Sequence, residues 1–61
     1  MPYVNIKIAG KLSYEQKKEI SSKVTEILHS VAQKKPESTY IVFDEVDRKD
    51  WAAGGKLLSE E

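Results

Sequence analysis

The stretch TYIVFDEV at residues 39–46 constrains this chain more than any other. It is rich in β-branched and aromatic residues and carries apolar groups on both faces, so it predicts a strand that needs cover on two sides. An earlier strand is expected over residues 2–8, where Val4, Ile6 and Ile8 alternate with Tyr3, Asn5 and Lys7. Between the two lies one helix-length segment, the size of link that joins parallel neighbours. The expected unit is therefore a right-handed β-α-β with parallel strands, an α+β (α/β) fold. One helix covers only one face of a two-stranded sheet, and such a unit is too small to be stable alone. The other face, carrying Tyr40 and Val42, must be met by another subunit, so a homo-oligomer is expected.

Length and residue types point the same way. Sixty-one residues make one domain, spanning 1–61, near the lower limit of independent folding. With no cysteine and a single histidine, neither disulfides nor a metal site of the usual ligands can supplement the core, and association with other chains remains. Ten Lys plus Arg balance ten Asp plus Glu, which argues against nucleic-acid and membrane-surface partners. No apolar run reaches the ~20 residues of a membrane span, and the start lacks the features of a signal peptide, so a cytoplasmic protein is expected.

Local signals place the remaining elements. Gly10 breaks the first strand, and Ser13 with Gln16 three residues later makes a capping box. Ile20, Val24, Ile27, Leu28 and Val31 then recur at helical spacing, with Glu19 and Lys23 as an i,i+4 pair on the wet side. Lys34 and Lys35 fall where the carbonyl end of the helix favours cations, and Pro36 is expected to stop it. His29 points away from the apolar stripe and reads as a surface residue. In the tail, Gly54 and Gly55 between short apolar pieces predict a tight hairpin or a turn leading to an edge strand.

Pro2 is the residue that this architecture leaves unexplained. A proline donates nothing to a sheet ladder, although the first position of a strand tolerates it. Once Met1 is removed, however, Pro2 would present a secondary amine, a basic nitrogen that no internal proline possesses.

Taken in order, the chain offers Met-Pro, a strand, Gly10 with basic Lys11, a Ser-capped helix beginning SYEQK, a second strand ending in DEV, then Trp51 followed by Gly54 and Gly55. In order and spacing this resembles the 4-oxalocrotonate tautomerase family, without gaps and over essentially the whole chain. The resemblance implies a tautomerase fold completed by oligomerisation, usually a hexamer, with no cofactor and no metal. It implies an isomerase in which Pro2 is the general base, moving a proton within an enol 2-oxo acid such as 2-hydroxymuconate.

Carried over position by position, the family's two substrate-binding arginines fall on Leu12 and Tyr40. Lys11, directly after Gly10, stands one residue from the first, and Tyr40 retains a hydrogen-bond donor without the charge. Trp51 matches the aromatic that shields the proline nitrogen, and Arg48 is the chain's one arginine. The candidate substrate-binding set is thus Lys11, Tyr40, Arg48 and Trp51. Ala52 and Ala53 near Trp51 offer no acid to activate water, which disfavours hydration. Without the two arginines, a monoacid such as phenylenolpyruvate becomes a candidate substrate in place of a dicarboxylate. The alternative expectation is a weakened homologue serving as an oligomeric structural or interaction protein, or as one subunit of a hetero-oligomer.

Overall fold

A computed structural model describes residues 1–60. Strand β1 (Tyr3–Ala9) is followed by helix α1 (Tyr14–Ala32), strand β2 (Tyr40–Val46) and a small hairpin of β3 (Ala52–Ala53) and β4 (Lys56–Leu57). Three single 3-10 turns, Pro36–Ser38, Arg48–Asp50 and Leu58–Glu60, join or close these elements.

β1 and β2 pair in parallel, with Tyr3 beside Tyr40 at one end and Ala9 beside Val46 at the other. The ladder runs one bond further each way: Tyr40 N–H donates to the Pro2 carbonyl at 3.0 Å, and Gly10 N–H to the Val46 carbonyl at 2.8 Å. This is the β-α-β unit the two apolar segments predict, and its side-chain alternation follows the period of two. Val4, Ile6, Ile8, Ile41 and Phe43 are half-buried on one face, while Tyr3, Asn5, Tyr40 and Val42 are exposed on the other.

Ser13 caps α1 as expected. Its hydroxyl accepts from Gln16 N–H at 3.1 Å, and the Gln16 side chain accepts from Ser13 N–H at 2.9 Å. The far end of the helix differs from the expectation. α1 stops at Ala32 because Gln33 takes a left-handed conformation (φ 55°), in which its N–H donates to the His29 carbonyl and Lys34 N–H to the Leu28 carbonyl, each at 3.1 Å. Lys34 and Lys35 therefore lie beyond the helix, and Pro36 opens the next 3-10 turn. Pro36 acts one residue back, holding Lys35 extended (ψ 131°), after the helix has already ended.

The helical stripe is only partly covered. Ile20, Val24 and Leu28 are half-buried, but Ile27 and Val31 are 58% and 74% exposed. On the open sheet face Tyr3, Tyr40 and Val42 are 63%, 54% and 44% exposed. No described residue is fully buried. A protomer none of whose described residues is enclosed gains little from apolar burial to set against the entropy of ordering it.

The tail forms the predicted hairpin, with Ala52 opposite Leu57 and Ala53 opposite Lys56. Gly54 and Gly55 both take positive φ (62° and 83°), the backbone of a two-residue turn that matches strand twist. Leu58 N–H donates to the Trp51 carbonyl at 2.8 Å and returns the tail to the start of the hairpin. No helix among the described residues is long and apolar enough to cross a membrane.

Candidate active site

Pro2 is half-buried at the entry to β1, behind an exposed Met1. Only its carbonyl is engaged by the ladder, through Tyr40 N–H. The two side chains that open the sheet on this end are both phenols, Tyr3 and Tyr40, paired across the strands. Asn5 Nδ2 donates to the Tyr3 hydroxyl at 3.3 Å on the same face.

Lys11 and Arg48 lie together at the opposite end. They line a cleft of about 360 Å³ with Gly10, Glu45 and Asp47, where β1 and β2 both exit. Gly10 takes φ 107°, which turns the chain out of β1 towards the cap of α1. Arg48 Nη2 donates to the Leu58 carbonyl at 3.2 Å, so part of its donor capacity holds the tail. Asp47 caps the turn that carries Arg48, its Oδ1 accepting from Lys49 N–H at 3.0 Å.

Glu45 is the residue of this cleft that sequence reasoning did not single out. Its Oε2 accepts from Leu12 N–H at 2.8 Å and its Oε1 meets Lys17 Nζ at 3.2 Å. The Leu12 amide first, then Lys17 and at longer range Lys11, hold its carboxyl below the usual value, against a smaller opposing effect of burial. An acid at the exit of an apolar strand was the available signal, yet the partner amide becomes visible only through the strand register.

Trp51 is half-buried and lines a separate shallow concavity with Lys7, Val46, Asp50 and Ala52. Within one protomer the candidate residues therefore fall into two groups. Pro2 is with Tyr40 at the entry of the parallel strands, while Lys11, Arg48 and Trp51 follow their exits. At ~3.3 Å per residue the length of β1 separates the groups by about 25 Å, well beyond the span of a small acid. Among the described residues no three His, Cys, Asp or Glu side chains cluster as metal ligands.

Residues 2–61 match the family model described as tautomerase enzyme. The chain is 38% identical to a probable tautomerase of Dickeya dadantii, over 98% of this chain and 91% of that protein. Among solved structures it is similar to YwhB, a homologue of 4-oxalocrotonate tautomerase, with a TM-score of 0.90, 30% identity and 98% of both chains covered. It also shares its fold with a heterohexamer 4-oxalocrotonate tautomerase from Chloroflexus aurantiacus, at a TM-score of 0.87 and 22% identity over 98% of this chain and 97% of that one.

Proposed function

We propose, from the premise that the chain belongs to the tautomerase family, that it is an isomerase converting an enol 2-oxo acid to its keto form with Pro2 as general base. The observation that carries this reading is the place of Pro2 in a chain of that family. It directly follows Met1, and the sheet uses its carbonyl and nothing else.

With Met1 removed, the Pro2 nitrogen is a secondary amine. A free α-amino group has a pKa of ~7.7–8.0, and enclosure beside cations lowers it, leaving the amine largely neutral at pH 7. The neutral amine takes the enol hydroxyl proton as the C–O bond gains double-bond character, then returns a proton to the carbon that was part of the C=C bond. The substrate is unchanged in composition, and the base is regenerated. In this reading Lys11 binds the substrate carboxylate, aided by Arg48, and the Tyr40 hydroxyl donates to the 2-oxo oxygen where charge develops. Trp51 keeps water from the amine.

Because Pro2 and Lys11 sit at opposite ends of β1, a working site draws them from different copies, in a homo-oligomer for which a hexamer is the proposed size. The uncovered sheet face and the absence of any enclosed residue among those described support assembly. One cation pair in place of two arginines favours an enol monoacid such as phenylenolpyruvate over 2-hydroxymuconate.

The test is ultraviolet-monitored ketonisation of both compounds by protein whose N-terminus has been verified by mass, with Pro2→Ala as control. Turnover lost in the variant is expected, and turnover equal to the variant's would overturn the reading. A second reading is favoured by the replacement of both family arginines and by the heterohexameric neighbour: this chain is one subunit of a mixed assembly whose partner supplies arginines. Co-purification of a second small chain of this family would establish it.

A further inference from the structure

Residues 10–13 join β1 to α1 without regular structure, and Lys11 is fixed on both sides. Before it, Gly10 N–H donates to the carbonyl of Val46 at 2.8 Å. After it, Leu12 N–H donates to Glu45 Oε2, also at 2.8 Å. The two acceptors are the last two residues of β2, so the strand exit grips the loop at two successive points. The second oxygen of Glu45 meets Lys17 in the first turns of α1 at 3.2 Å. One carboxylate thus ties together a strand, a loop and a helix.

The grip decides which residue faces outward. Leu12 is half-buried and Lys11 is exposed on the cleft beside Arg48. Among the described residues Lys11 makes no ion pair, although Glu45 and Asp47 line the same cleft; the Glu45 oxygens instead meet Leu12 N–H and Lys17. Its ammonium is left available to an anion.

We infer that Glu45 is a positioning residue, which through Leu12 N–H holds the loop so that Lys11, and not its neighbour, is presented to the substrate carboxylate. The inference rests on the isomerase reading for its substrate and on the geometry of residues 10–17 for its mechanism. A mobile lysine binds an anion less well than one whose backbone is held, so loosening the grip acts on binding more than on the chemical step.

Two conservative variants separate the clamp from the charge. Glu45→Asp keeps the charge but is one methylene too short to reach Leu12 N–H; it should raise KM for phenylenolpyruvate about tenfold with kcat within about twofold. Glu45→Gln keeps an oxygen at the right reach and loses the charge, and should raise KM by less than about threefold. In a Lys11→Ala background, Glu45→Asp should add less than about twofold, since its effect passes through Lys11. A larger effect for Gln than for Asp, or a full effect of Asp without Lys11, would overturn the assignment.

If Glu45→Asp does not assemble, the native protein still decides. Its Leu12 amide should be protected from hydrogen exchange and its chemical shift should follow the titration of Glu45, whereas a rapidly exchanging amide refutes the clamp. Should turnover prove independent of Pro2, the isomerase reading fails separately. The clamp is then read from the affinity of 3-phenylpropanoate, an unreactive monocarboxylate, whose dissociation constant should rank native, Gln and Asp in that order.

Discussion

The amide of Tyr40 donates to the carbonyl of Pro2 at 3.0 Å, one residue ahead of the regular strand pairing. This bond anchors the start of β1 by the one polar backbone group that a proline retains. A residue with an N–H at this position would add nothing to the same bond, so the bond does not itself call for a proline, and the role proposed for Pro2 rests on its nitrogen.

Retention of Met1 should therefore abolish activity while leaving the fold intact, because it turns the amine into an amide. A positioned general base typically contributes ~10²–10⁴ in rate, and kcat/KM of Met1-bearing protein should fall by about that factor. The processed form should show an acidic-limb pKa below the ~7.7–8.0 of a free terminal amine. Equal rates for two mass-verified preparations would dismiss the amine as base.

Val42, 44% exposed on the open face beside Asn5, is the place to test assembly. Val42→Lys would carry a charge into any contact made by that face, where an unpaired charge is strongly unfavourable. Light scattering at micromolar concentration should show a smaller particle and circular dichroism a loss of cooperative folding. A variant with the native mass and the native melting temperature would show that the face stays in water.

Acid stability should bear the mark of Glu45. Its folded-state pKa lies below the ordinary 4.5, so the folded chain binds this proton less readily than the unfolded one. The resulting stabilisation is present above the unfolded value and disappears as pH falls through the folded one. In urea titrations at fixed protein concentration, the gap between native protein and Glu45→Gln should be widest at neutral pH and narrow steadily on the acid side of the ordinary value. A gap independent of pH would place the contribution elsewhere.

The parts of the fold legible in the sequence are those decided within a few residues. Ser13 and Gln16 cap one another across a single turn, Gly54 and Gly55 take the positive φ that the hairpin demands, and the alternation through Val4, Ile6 and Ile8 carries its own period. The end of α1 was not legible, because Gln33 is left-handed by circumstance and not by residue type. Ile27 and Val31 fit the helical period as well as Leu28 does, yet only Leu28 finds cover in one chain. Glu45 escaped notice for a related reason: its partner amide is 33 residues away in sequence and meets it only through the register of β1 and β2. The candidate residues could be named from the sequence, but not their division between two ends of the protomer.

That division has a genetic reading. In an assembly whose sites join the entry end of one copy to the exit end of another, a lesion at Pro2 and a lesion at Lys11 strike opposite halves of every chain. Mixed in one oligomer, two inactive alleles leave some sites with both halves sound, so the heterozygote would recover what each parent lacks.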